Sequence, residues 1–138
     1  MSIVKIQCFK FGSSLPEHSF FILSKGIHTG RPSLTPYRNC FVCICEDEGS
    51  MNQYYWLVYG LWQGRRFEKY LIGSVILFIH IRDLRSIITN AVLTVRDIEK
   101  VAVAMQQLLV LEIQLKDNLE RIRNAKKGLI HSCFKKLG

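Results

Sequence analysis

Three cysteines fall within six residues, at Cys40, Cys43 and Cys45, close enough together to suggest a metal site or a reactive thiol. Alternation along a strand sets Cys43 and Cys45 on one face and Cys40 on the other, and no second Cys or His pair follows at zinc-ligand spacing. Buried apolar thiols are therefore expected, with no metal and no cofactor. The four histidines, His18, His28, His80 and His131, are scattered, and none announces a pairing with a nucleophile. Glu46, Asp47 and Glu48 sit together in what reads as a solvated acidic turn. There is no glycine-rich phosphate loop followed by lysine and serine, and no pair of carboxylates at acid–base spacing on one element. A non-enzyme is expected.

The net charge of +8 points elsewhere. A strongly basic small domain attracts polyanions through its long-range field, and nucleic acid is the commonest polyanion of a cytoplasm. Lys25, His28, Arg31 and Arg38 gather in a Gly/Pro-rich stretch, Arg65, Arg66 and Lys69 gather on a short helical stretch, and Arg82 and Arg85 follow. Loops and helix faces of this kind reach phosphates and base edges better than the middle of a sheet does. The aromatic group Tyr54, Tyr55, Trp56, Tyr59 and Trp62 could stack on bases, but its spacing assigns most of it to the core.

The elements that must position these residues are readable in outline. Residues 3 to 11 alternate as a strand and residues 13 to 16 turn. A second strand runs over residues 20 to 23, and residues 24 to 36 form an exposed loop. Residues 40 to 45 are a short buried strand. Residues 54 to 59 read as strand-like, passing into a helix that carries Leu61, Trp62, Phe67, Tyr70 and Leu71 on its apolar face. Gly73 and Ser74 end that helix, and Val75 to Ile81, apolar on both faces, reads as a central strand. That run, which carries His80, is also read as the longest apolar one, far short of the roughly 20 residues that span a bilayer, so no membrane contact is expected. Five cysteines make a poor disulfide framework and the first residues lack a signal-peptide pattern, so a cytoplasmic location is expected.

From Thr94 to about Leu129, Ile98, Val101, Met105, Leu108, Leu115, Leu119, Ile122 and Leu129 recur with four-three spacing, interrupted by Glu112 and Lys126. Thr94 and Asp97 offer a hydroxyl and a carboxylate to start this helix. Over that length it would run about 50 Å, too long for the preceding residues to cover. It needs a partner, and a homodimer through Ile98, Val101, Met105, Leu108, Leu115, Leu119 and Ile122 is expected. The fold class is thus α+β: a small mixed sheet with a short helix over residues 1–93, then a long coiled-coil-type dimerisation helix with a basic tail over residues 94–138.

Several stretches resemble one family. Tyr54-Tyr55-Trp56-Leu57 through Leu61, Arg66-Phe67-Glu68-Lys69-Tyr70-Leu71, Gly73-Ser74-Val75-Ile76 and Ile81-Arg82-Asp83-Leu84-Arg85-Ser86-Ile87 are similar to the target recognition domain of type I restriction-modification specificity subunits. Asn124-Ala125-Lys126-Lys127-Gly128-Leu129-Ile130 with Phe134 is similar to the end of that family's spacer helix, and Gly30-Arg31-Pro32-Ser33 to a segment near the start of its domains. The resemblance covers about residues 24 to 134, in a small stand-alone form that is also similar to uncharacterised proteins carried by mobile elements of Bacteroidetes. It implies a non-catalytic half specificity subunit that binds double-stranded DNA, pairs through its long helix, and docks a methyltransferase or another specificity subunit. The alternative it implies is a decoy that keeps the helix pairing and binds no DNA.

Overall fold

The computed structural model describes residues 5–137. Four strands form one sheet in the order β1-β4-β2-β3: β1 (Lys5–Phe9), β2 (Ser19–Leu23), β3 (Pro32–Ser33) and β4 (Cys40–Ile44). Three α-helices follow, α1 (Glu48–Gln63), α2 (Ile81–Thr94) and α3 (Ile98–Phe134), with a 3₁₀ turn at Glu68–Tyr70. The class is α+β, as expected, and the sheet expected as mixed is antiparallel in all three of its pairings. Residues 3 and 4 of the first expected strand lie outside the described residues.

β4 is central because its sequence, Cys-Phe-Val-Cys-Ile, is apolar at every position and so tolerates cover on both faces. Its alternation splits the thiols as expected: Cys43, with Cys45 beyond the strand end, joins the main core, while Cys40 joins Phe21 and Val42 in a smaller cluster on the other face. On that second face Phe9 meets Phe21 edge-on, with centroids 5.0 Å apart.

The main core lies between the sheet and the first two helices. Phe20 and Ile22 from β2 and Phe41 from β4 meet Tyr54, Leu57 and Val58 of α1 and Leu84, Ile88 and Ala91 of α2. Each helix presents one apolar stripe at intervals of three and four residues. Completely burying a side chain such as Phe20 or Ile22 contributes about 1.5–3 kcal/mol. Arg85 fastens α2 to the sheet edge by donating from Nε to the Ile6 carbonyl at 3.0 Å and from its guanidinium end to the same oxygen.

Four expectations for the middle of the chain are overturned. Residues 54 to 59 are helical, because α1 starts six residues earlier, where Asp47 caps it by accepting from the Ser50 backbone N–H at 2.7 Å. The helix expected through Leu71 stops at Gln63. Val75 to Ile81 is not a central strand. Among the described residues its ladder contacts are isolated bridges from Phe78 to Ile72 and to Lys25, and Val75 and Ile76 are 93% and 61% exposed. The segment after it, expected as a connection, is α2.

The long helix is present, but Thr94 does not start it. Thr94 closes α2, and its hydroxyl donates to the Asn90 carbonyl at 2.7 Å. α3 begins after Asp97, a left-handed residue at φ +58 whose carbonyl accepts from the Val101 N–H. The described chain divides into two compact units, residues 5–102 and 103–137. Ile98 belongs to the first, where it packs against the main core, so it is withdrawn from the expected pairing stripe. In the second unit the ion pairs Glu112–Lys116 (3.0 Å) and Asp117–Arg121 (3.1 Å) run in the favourable i,i+4 sense, each worth roughly 0.2–0.5 kcal/mol. Among the described residues, no helix is long and apolar enough to cross a membrane.

Candidate nucleic-acid interface

The loop between β2 and β3 is pinned. Leu23 N–H donates to the Arg31 carbonyl and Gly30 N–H returns to the Leu23 carbonyl, at 3.0 and 2.8 Å. The buried Thr29 hydroxyl donates to the Gly26 carbonyl at 2.5 Å. At Gly30, with φ +98, there is no room for a side chain, because a Cβ would lie 2.2 Å from Cδ2 of Phe67. These bonds hold His28 and Arg31 on the outer surface and aim both at α1. The Arg31 guanidinium lies 5.5 Å from the Trp62 ring centroid, and the His28 ring meets Trp62 edge-on at 6.4 Å.

The other side of this group is made by the end of α1. Arg66 N–H donates to the Leu61 carbonyl and Arg65 N–H to the Trp62 carbonyl, the double closure of a Schellman motif, with Gly64 as the cap. The left-handed position of that motif ordinarily belongs to glycine; here it is occupied by Arg65 at φ +58. Arg65 also lies 3.6 Å from Glu68 in an exposed ion pair. Arg65, Trp62, Thr29 and Glu68 line one small depression, and Arg66 and Lys69 line a neighbouring one with Tyr70 and Ile87.

Behind Trp62 runs a ladder of edge-on aromatic contacts along α1, Tyr55–Trp56–Tyr59–Trp62, at 5.1, 5.3 and 5.9 Å, with Phe20 on Tyr55 at 5.6 Å. Tyr54 and Trp56 are buried, as expected of core, whereas Tyr55, Tyr59 and Trp62 are half-buried. Burial pushes the Tyr55 phenol up, Tyr37 and Tyr59 add to the shift, and Arg31 opposes it.

The structure therefore brings His28, Arg31 and Arg65 together around Trp62, with Arg66 and Lys69 beside them. Lys25 is exposed at its bridge to Phe78, and Arg38 is exposed two residues before β4. Arg82 is exposed on the first turn of α2, and Arg85 is occupied by the Ile6 carbonyl. Its spacing places Trp62 on the apolar helix face, yet its ring receives the Arg31 guanidinium and the edge of His28, with Arg65 lining the depression beside it. A helix beginning at Asp47 would have turned Trp62 and Tyr59 toward the loop. Among the described residues, no three His, Cys, Asp or Glu side chains gather as a metal site.

These features define an α+β domain with a cationic, aromatic surface, continued by a long and largely exposed helix. The chain belongs to a family of unknown function, DUF6943, whose profile matches residues 6–132. No curated protein and no solved structure matches it.

Proposed function

We propose that this protein is a non-catalytic, cytoplasmic DNA-binding module, similar to half of a type I specificity subunit, and that two copies join through α3. One observation carries it: the Arg31 guanidinium and the His28 ring, both from a pinned loop, meet one half-buried tryptophan, and Arg65 from a helix end lines the depression beside it. Cations held on a rigid frame contact phosphates with little ordering cost, and a half-exposed aromatic face among them can stack on a base. Arg65 supports the reading further, since keeping a bulky cation where glycine is more stable stores strain at the surface that would use it. Arg66 and Lys69 extend the phosphate track. The exposed Val101, Leu108, Leu115, Leu119 and Ile122 on α3 provide the seam for the second copy.

The test is fluorescence anisotropy of the full chain with a random duplex at several salt concentrations. The logarithm of the affinity should fall linearly with that of salt, and Arg31→Ala should reduce the slope by about one phosphate contact. Absence of binding at low salt would refute DNA recognition. It would favour the interaction-module alternative, whose support is the same exposed apolar helix.

A further inference from the structure

The groove lined by Arg66 and Lys69 has a volume of about 370 Å³, within the range of roughly 300–1,000 Å³ usual for small-molecule sites. One wall is the end of α1 and the chain leaving it, with Leu61, Arg66, Lys69 and Tyr70. The other is the end of α2, where Ile87, Asn90, Ala91 and Thr94 share one face at intervals of three and four residues and Val95 follows. This second wall takes no part in the Trp62 surface.

The lining sorts by chemistry. Leu61, Ile87, Ala91 and Val95 make it apolar, and Tyr70, 37% exposed, adds an aromatic ring. Arg66 and Lys69 place two positive charges on one wall, and no acidic residue lines the groove. Glu68, the carboxylate between them in sequence, is paired with Arg65, and among the described residues neither Arg66 nor Lys69 forms an ion pair. The Lys69 ammonium lies 5.3 Å from the Tyr70 ring centroid, which keeps its charge beside the aromatic part of the lining. Asn90 offers a carboxamide. The Thr94 hydroxyl donates its proton to the Asn90 carbonyl at 2.7 Å and so presents only acceptor lone pairs to a ligand.

We propose that this groove binds a nucleoside 5′-monophosphate, with its phosphate on Arg66 and Lys69 and its base against Tyr70, Ile87 and Asn90. Two unneutralised cations match a phosphate monoester, which carries about −1.5 to −2 near pH 7, better than they match a singly charged carboxylate or backbone diester. A hydrocarbon body would displace water from Asn90 and Thr94 without replacing its hydrogen bonds. A flat heterocycle covers the apolar side chains with its face and meets the carboxamide with its edge, and adenine pairs with such an amide through two hydrogen bonds. A monoester of this kind exists free and at the 5′ end of a nucleic-acid strand. The free form is independent of duplex binding, whereas the strand-end form rests on the DNA reading.

Titration of the full chain with dAMP, followed by amide NMR spectra, tests this. Amides of residues 66–70 and 87–95 should shift saturably, and 2′-deoxyadenosine should bind at least about tenfold more weakly for want of the charge-assisted contacts. Arg66→Gln/Lys69→Gln should bring dAMP down to the affinity of the nucleoside, while Lys126→Gln/Lys127→Gln, which removes the same charge from α3, should leave it unchanged. Scattered or unsaturable shifts, equal affinity for nucleotide and nucleoside, or equal weakening by the two double variants would overturn the site. Fluorescence anisotropy of a hairpin duplex with and without a 5′-phosphate separates the two sources. Tighter binding of the phosphorylated hairpin, lost in Arg66→Gln/Lys69→Gln, assigns the strand end, and equal binding assigns the free nucleotide. A chain that takes up dAMP but binds neither hairpin refutes DNA recognition alone.

Discussion

Gly26 and Gly30 have almost the same backbone, φ +96 and +98, in the same loop, but different surroundings. A Cβ at Gly26 meets nothing within 4 Å, whereas at Gly30 it meets Phe67 Cδ2 at 2.2 Å and Cε2 at 2.7 Å. Alanine at either position incurs the left-handed penalty, about 1–2 kcal/mol. Gly30→Ala must also displace Phe67, which is 2% exposed, adding about 1–3 kcal/mol of overpacking. Gly26→Ala should therefore cost about 1–2 kcal/mol and Gly30→Ala about 2–5 kcal/mol, a large share of a typical total stability of about 5–15 kcal/mol. Urea unfolding followed by tryptophan fluorescence and by circular dichroism, at one fixed protein concentration because the proposed self-association would shift the midpoint, measures both. Phe67→Leu narrows the ring that obstructs the Cβ, so Gly30→Ala/Phe67→Leu should cost less than the two single changes combined, by about 1 kcal/mol. Equal midpoints for the two alanine variants, or strict additivity in the cycle, would refute close packing of the loop on Phe67.

Arg65→Gly should stabilise the fold by about 1 kcal/mol, since glycine carries no Cβ penalty at that position, while weakening DNA binding. A urea midpoint no higher than wild type would contradict the strained cap. Tyr54 buries a hydroxyl that has no hydrogen-bond partner, so Tyr54→Phe should be neutral or stabilising by up to about 1 kcal/mol. Burial, with smaller contributions from Cys43 and Cys45, pushes the Tyr54 phenol up to about 12. Its folded pKa lies above the unfolded value near 10, so its contribution is complete below about pH 10 and is lost as pH rises toward 12. Phenolate absorbance should show one late-titrating tyrosine that disappears in Tyr54→Phe. The Ser50 backbone N–H holds the Asp47 carboxyl below the usual carboxylate range. Its contribution is present above about pH 4 and lost as pH falls through the folded value. Asp47→Ala should therefore lower the thermal midpoint at pH 7 and leave a shallower decline between pH 5 and pH 3; an unchanged midpoint at pH 7 would remove the cap from the account.

Legibility in the sequence followed the physics of each segment. β1, β2 and β4 announce themselves by alternation or by a short β-branched and aromatic run, and the division of the thiols follows from period two alone. α1 was harder, because Tyr54 to Tyr59 is rich in aromatics, which favour strands, and the competing helical signal begins upstream at Asp47. Val75 and Ile76 are apolar yet face water while Ile79 reaches the core, so hydrophobicity alone misassigned the segment. α2 carries a readable stripe, Leu84, Ile88 and Ala91, that its polar surroundings masked. For the candidate site, the basic residues could be chosen from composition, but their gathering around Trp62 could not. It depends on a loop closure at Leu23 and on a helix end at Gly64, both made by backbone hydrogen bonds.

The five thiols supply a chemical clock for the fold. Cys8 and Cys133 are exposed, while Cys40, Cys43 and Cys45 are buried. Burial raises the Cys40 thiol, and the contact with Cys45 followed by burial raises Cys43. The same contact lowers Cys45, so burial rather than the shifts separates the two classes, and a thiol reagent applied to the native chain should add two adducts quickly. The remaining three should arrive only when β4 separates from its neighbours. Counting adducts by mass against time would time the opening of the central strand without an introduced label, and the two fast sites would accept reporter dyes on β1 and near the end of α3.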